Sequence, residues 1–330
     1  MFHTWISFSQ NGSLPTHKPK EDLPFPRPTN DPTPLASDPI NWSDFAYVQY
    51  VTNGDYLCNT LMILEALHRS GTKADRIMMF PDVWQVSEVD GVHLSIEGRL
   101  LALARDLYET KLVPIKVQSF ARGDPTWKDS YTKLLAFNQT NYKRLISLDS
   151  DAILRDHMDE LFLLPSSPVA MPRAYWLDQL FLSSQLIVLE PSHSEWRRIQ
   201  DAMSHDDSGF DMDILNTIYN NSCIVLPHQK YNMLSAEFRA EDHARYMGSN
   251  ETWNGPRAFN EAKFIHFSDW PVPKPWLEAT HEVIASHQPK CRDGTDSGEP
   301  DCTDRNIWLG LYKDFSQRRQ HSCGYYMETR

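Results

Sequence analysis

From Trp42 onward, short apolar runs of strand length alternate with stretches of helical period, and no other feature restricts the fold so tightly. Residues 45–51 (FAYVQYV) form a β-rich run that Thr52-Asn53-Gly54-Asp55 ends. Leu57, Leu61, Leu64 and Leu67 then recur at helical spacing, with Gly71 as punctuation. Residues 76–80 (RIMMF) read as a second strand stopped by Pro81, 97–109 as a helix, 113–117 as a strand and 131–137 as a helix. Arg144–Leu148 is a short buried strand. Repeated β-α-β units with buried strands predict an α/β fold, a mostly parallel sheet covered by helices. Such sheets bind ligands outside the carboxyl ends of their strands.

The flanks differ from this middle part. Eight of the 22 prolines lie between Pro15 and Pro39, where the missing N–H and fixed φ oppose a helix or central strand. Residues 1–40 are therefore expected to be a Pro-rich tail or stalk, 41–280 the main α/β domain and 281–330 a C-terminal helical extension. In the extension, Ile307, Leu309, Leu311, Tyr312 and Phe315 are the candidate buried positions. No run reaches the ~18 apolar residues of a membrane helix. A formal net charge of −12 excludes a general nucleic-acid binder, which needs a basic stripe. Of five cysteines, Cys58 and Cys223 read as small core residues, while two of Cys291, Cys302 and Cys323 can pair in an oxidising compartment. Asn11, Asn41, Asn138, Asn220 and Asn250 each open an N-x-Ser/Thr tripeptide.

Three segments carry candidate chemistry. The strand Arg144–Leu148 runs directly into Asp149-Ser150-Asp151, and alternation aims both carboxylates to one side, where both can reach a hard cation such as Mg²⁺ or Mn²⁺. The bland reading of the pair is a turn or helix cap. Lys263-Phe-Ile-His266 is an apolar strand ending on an imidazole able to complete that shell, and Lys274 follows on a proline-stiffened loop where it can neutralise a diphosphate. A core-edge histidine and a solvated lysine are the alternatives. Asp211 and Asp213 open a helix, either as N-terminal caps or as a sugar-hydroxyl acceptor and a catalytic carboxylate.

In the order Thr52-Asn53…Tyr56, Asp149-x-Asp151, Asp211-x-Asp213-Ile-Leu-Asn216, His266-Phe-Ser…Lys274-Pro-Trp276, the chain resembles family 8 of the retaining glycosyltransferases, which includes glycogenin and bacterial galactosyltransferases. The likeness covers roughly residues 45–277. Met212, Ser-Asp-Trp after His266, and the tail from Trp308 to Cys323-Gly324 look like its fungal N-acetylglucosaminyltransferase branch, which is Golgi-anchored and acts on mannose-containing glycans. The resemblance implies a GT-A fold with a Rossmann-like mixed sheet, and transfer of a sugar from a UDP-sugar to a glycan acceptor. It assigns Mn²⁺ (or Mg²⁺) to Asp149, Asp151 and His266, the leaving phosphates to Lys274, and uridine contacts to Thr52, Asn53 and Tyr56. Ser150 and Lys133 fall beside the donor, and Asp211 on the donor-sugar hydroxyls. Asp213 is a weak candidate for a covalent nucleophile, so front-face attack is favoured. Three positions depart from the pattern: Met212 replaces the usual Gln, Ser183-Ser184-Gln185 replaces Asn-x-Gly, and the His-to-Lys segment is two residues longer than in glycogenin. The resemblance also implies a Golgi lumen, although no anchor precedes the Pro-rich stretch; a cytoplasmic protein is the alternative. Other readings are a silent nucleotide-sugar-binding relative, a transferase using UDP-glucose or UDP-galactose, and a hydrolase of the haloacid-dehalogenase type, whose Asp-x-Asp normally sits on the first core strand.

Overall fold

In a computed structural model of the chain, residues 39–86, 95–119, 129–205, 210–292 and 299–327 are described. The expected tail therefore lies almost wholly outside the described residues, and Asn41–Arg330 forms one compact unit. The chain runs through β1 (Phe45–Tyr50), α1 (Gly54–Ser70), β2 (Asp75–Pro81), α2 (Ile96–Leu107), β3 (Thr110–Ile115), a 3₁₀ helix over Ser130–Asn138, β4 (Arg144–Leu148) and β5 (Ala152–Leu154). It continues through β6 (Val169–Pro172), β7 (Leu186–Leu189), α3 (His193–His205), α4 (Asp211–Tyr219), β8 (Ile224–Leu226), α5 (His228–Tyr231) and β9 (Met233–Leu234). The last elements are α6 (Ala244–Met247), α7 (Gly255–Glu261), β10 (Phe264–His266), α8 (His281–His287) and α9 (Thr303–Met327).

Strand side chains alternate between two buried faces. Ala46, Val48, Leu145, Ile187 and Leu189 pack with Leu134 and Phe137 of the 3₁₀ helix, Ile199 of α3 and Ile214 of α4. Tyr47, Ile146, Leu148, Leu186 and Val188 face the other way, onto Ile63 and Leu67 of α1 and Phe162. Because both faces are covered, all five residues of β4 are buried, the polar Arg144 and Ser147 included. Local signals set the ends of α1. The Asn53 side chain accepts from the N–H groups of Asp55 and Tyr56, and Gly71 takes φ 74°, a left-handed turn that suits glycine.

The main sheet has seven strands in the order β3-β2-β1-β4-β7-β6-β8. Strands β1 to β4 are parallel to one another, whereas β7 runs antiparallel to both β4 and β6. The sheet is thus mixed. A second sheet, β5-β10-β9, carries the strand that ends on His266.

Two sequence expectations are corrected here. Cys58 is not an isolated core thiol: it is bonded to Cys323, 265 residues away, while Cys291 pairs with Cys302. Cys223 is the free thiol. In α9 the phase is shifted, since Trp308, Leu311, Phe315 and Arg319 are buried while Leu309 is 36% exposed. The step from 308 to 311 to 315 to 319 is a regular helical stripe that includes Trp308.

Candidate active site

The two aspartates stand where β4 leaves the sheet, and each is placed by backbone hydrogen bonds. Asp149 N–H donates to the carbonyl of Gln185, and Phe267 N–H donates to the carbonyl of Asp151. The second bond ties the Asp-x-Asp turn to the end of β10, where His266 pairs with Ala152 across the antiparallel register. Two sheets thereby converge on one spot. Nε2 of His266 lies 3.0 Å from Oδ1 of Asp151 and 3.9 Å from Oδ2 of Asp149. Among the described residues, Asp149, Asp151 and His266 offer three ligand atoms all within 4.8 Å of one another.

Two lysines border this group. Lys133 Nζ, with its side chain 3% exposed, sits 2.7 Å from Asp149 and 2.9 Å from Asp211, and donates to the carbonyl of Ser184 at 3.1 Å. An ammonium has three hydrogens, so Lys133 is fully engaged and serves to hold the two carboxylates in place. Lys274 Nζ donates to Asp151 at 2.7 Å and to the carbonyl of Phe267 at 2.5 Å, with its side chain one-third exposed. One of its hydrogens therefore faces outward. With His266 neutral, three carboxylates (Asp149, Asp151, Asp211) face two ammonium groups (Lys133, Lys274), a formal charge of −1.

Burial shapes the ionisation of these groups. It raises the Asp149 carboxyl, a trend that the neighbouring Lys133 ammonium opposes and the Asp151 charge reinforces. Burial acts on Asp151 in the same sense but is outweighed by His266 and Lys274, which hold its carboxyl far below the ordinary carboxylate range. Burial alone disfavours charge on Lys133, yet Asp149 and Asp211 raise its pKa well above that of a free lysine. Tyr50 and Tyr56 are both pushed up, chiefly by burial, and remain neutral phenols.

The other expected site residues fall into two groups. Asp211 joins the cluster through Lys133, and Tyr56, at the start of α1, packs edge-on against Trp276 at 5.5 Å. Thr52 follows β1 at the same sheet edge, and Ser150 is buried between the two aspartates. By contrast, Asn53 directs its amide oxygen to the first turn of α1, and Asp213 accepts from the N–H of Phe210, closing the start of α4. Both act as caps.

Several contributors were not legible in the sequence. Tyr50 reaches Asp149 with its hydroxyl at 3.5 Å, and Gln185 contacts Nδ1 of His266 at 3.1 Å. Asp269, within the loop between His266 and Lys274, is a buried hub. It accepts from Trp308 at 2.9 Å, from Tyr312 at 3.0 Å and from Ser235, with Arg239 3.5 Å away. The one advance signal for Gln185 was its departure from the family pattern. A separate crevice of about 690 Å³ lies at the opposite ends of β1 and β4, lined by Phe45, Arg144 and Glu190. The Arg144 guanidinium there already serves the carbonyls of Phe162, Leu164 and Pro165, and the crevice holds none of the candidate groups.

No protein-family model matches the chain. Glucose N-acetyltransferase 1 of Gibberella zeae is 50% identical over 292 residues, covering 86% of this chain and 63% of the relative. The same-named protein of Aspergillus fumigatus is 40% identical over 318 residues, covering 90% of this chain and 82% of its own length. The chain belongs to the fungal glucose N-acetyltransferase 1 family. It spans less than two thirds of the Gibberella member. Outside the family, glycogenin of Neurospora crassa is 22% identical over 258 residues, in keeping with the family 8 resemblance. The fold is shared with the glycosyltransferase GlyE of Streptococcus pneumoniae, at a TM-score of 0.51, 12% identity, and coverage of 84% of this chain and 63% of that one. LgtC gives a TM-score of 0.50 at 14% identity, covering 82% and 95%. The chain thus has the α/β GT-A architecture.

Proposed function

We propose that the chain is a metal-dependent retaining glycosyltransferase that moves N-acetylglucosamine from a UDP-sugar to a glycan acceptor. The observation that carries this reading is the meeting of Asp149, Asp151 and His266 beside a lysine with an outward-facing hydrogen. The relatives' name, taken word for word, describes acetyl transfer to glucose; a hard-cation ligand set next to an ammonium suits a diphosphate leaving group instead.

The donor set fits a divalent cation. Two carboxylates and an imidazole suit Mn²⁺ or Mg²⁺, and a cluster of formal charge −1 is one that a cation relieves. Asp149, Asp151 and His266 would hold the ion, which when bound supplies neutralisation of charge on the donor's diphosphate. Lys274, held by Asp151 at 2.7 Å, faces the leaving phosphate. Asp211, fixed by Lys133, accepts from donor-sugar hydroxyls. Tyr56 and Thr52 border the uridine. Asp213 accepts from Phe210 N–H in capping α4, an engagement that favours front-face attack, with the leaving phosphate taking the acceptor proton. A mannose-containing acceptor and a Golgi lumen fit the fungal branch. Two disulfides and the exposed sequon asparagines Asn41, Asn138, Asn220 and Asn250 support an oxidising secretory compartment.

The test is UDP release from a panel of UDP-sugars with mannosides, with and without Mn²⁺. Turnover that needs Mn²⁺, is greatest with UDP-GlcNAc and is abolished in a folded Asp151→Asn protein is the expected result. No turnover with any donor, or wild-type rates after Asp151→Asn, overturns the assignment.

A further inference from the structure

The histidine of the cation site has a neighbour whose chemistry determines whether it can act as a ligand. His266 faces Asp151 and Asp149 through Nε2, so a cation between the carboxylates takes that nitrogen. An imidazole nitrogen ligates only through its lone pair. Nε2 must then be bare, and a neutral ring must carry its proton on Nδ1. Nδ1 lies 3.1 Å from the amide nitrogen of Gln185. In that arrangement the amide donates to Nδ1, the ring proton is on Nε2, and Nε2–H points at Asp151 3.0 Å away. Each donor has an acceptor, but the ring cannot ligate.

The amide oxygen completes the argument. Oε1 of Gln185 is buried and has no hydrogen-bond partner. A half-turn of the terminal amide exchanges the oxygen and the NH₂ group, which are nearly identical in shape. Oε1 then accepts from Nδ1–H, and Nε2 is left bare toward the carboxylates. We propose that Gln185 is a positioning residue for the cation site, its amide oxygen accepting from Nδ1–H and so fixing His266 as the tautomer that binds metal through Nε2. Partners of ligating histidines elsewhere change metal affinity by about 10–100-fold when removed.

This inference rests on reading Asp149, Asp151 and His266 as the cation site, and the test separates the two. Mn²⁺ is titrated into the purified chain without donor, and free ion is counted by electron paramagnetic resonance. Binding to wild type that is weakened roughly 10–100-fold in Gln185→Met, but kept within about threefold in Gln185→Glu, is expected, because a carboxylate still accepts from Nδ1–H. Equal affinity in wild type and Gln185→Met overturns the inference, as does equal weakening in both variants. Absence of Mn²⁺ binding to wild type overturns the cation site itself. Ring ¹⁵N shifts of His266 in the wild-type chain give a readout that needs no variant. With Mg²⁺ bound they should show the Nδ1–H pattern, and an Nε2–H pattern refutes the positioning role of the amide.

Discussion

Replacing Asp269 by asparagine should loosen the whole chain, by an amount that follows from its neighbours. The carboxylate is 1% exposed and receives Trp308 and Arg239 on Oδ1, and Tyr312 and Ser235 on Oδ2. The indole N–H can only donate, so an asparagine at this position keeps its oxygen toward Trp308 and turns its NH₂ toward the two hydroxyls. The Ser235 hydroxyl already accepts from Ser268 N–H at 3.2 Å. At least one charge-assisted bond is lost, the Trp308 bond becomes neutral, and Arg239 loses its counter-charge. Charged hydrogen bonds contribute roughly 1.5–3 kcal/mol against 0.5–1.5 for neutral ones. The Asp269→Asn protein should therefore be less stable by about 2–4 kcal/mol, with a thermal midpoint lower by roughly 3–7 °C. Asp269→Leu, which leaves every donor unmet, should cost more, about 3–5 kcal/mol. Urea unfolding followed by tryptophan fluorescence measures both. An Asn variant within about 0.5 kcal/mol of wild type, or a Leu variant more stable than the Asn one, would refute the reasoning.

Other expectations follow from single contacts. Lys274→Ala should lower kcat/KM for UDP release by roughly 10²–10³-fold, the scale of losing one donor to developing charge, with little change in the urea midpoint; an unchanged rate removes Lys274 from the site. Breaking the Cys58–Cys323 bond by Cys58→Ala should cost about 2–5 kcal/mol, and the further change Cys323→Ala should add almost nothing, so additive losses in urea unfolding would contradict the pairing. Burial raises the Glu160 carboxyl, but hydrogen bonds from Lys263, Tyr231 and Lys230 outweigh it and hold it at about 2. Its stabilisation is present above the unfolded value of 4.5 and lost as pH falls from there toward 2. At 40% exposure this is about 1 kcal/mol after screening. Stability curves of wild type and Glu160→Gln should converge across that window, and parallel curves would contradict the assignment.

Much of this architecture could be read from the sequence because burial leaves a periodic trace. The runs at 45–51 and 76–80 match β1 and β2 to within a residue, and Arg144–Leu148 is β4 as expected. Direction leaves no such trace: the apolar stretch of β7 reads the same whether parallel or antiparallel to β4. The 131–137 segment is 3₁₀ rather than α, a difference that apolar spacing over nine residues does not resolve. At the site, Asp149 and Asp151 were visible because they follow directly on one apolar strand, and His266 because it ends another. Gln185 and Asp269 act through partners distant in sequence, 81 residues away for the His266 contact and 39 for Trp308, which local pattern cannot supply. The Cys58 bond failed for the same reason, and the α9 phase was misjudged by preferring Leu309 to the aromatic beside it.

The position of α9 has a consequence for synthesis. Its residues hold both ends of the site: Arg319 binds the Asp55 carbonyl at 3.0 Å and Asn59 beside Tyr56, and Trp308 and Tyr312 hold Asp269 in the loop that bears Lys274. This helix, made after the rest of the site, thus completes a site whose first residues left the ribosome long before. At about 5–20 residues per second, Cys58 waits roughly 15–50 s for Cys323 to be made, while Cys223, Cys291 and Cys302 arrive as wrong partners. Producing the chain with a shortened C-terminus would leave Cys58 without its partner and the Asp55–Asn59 end of the site without its brace.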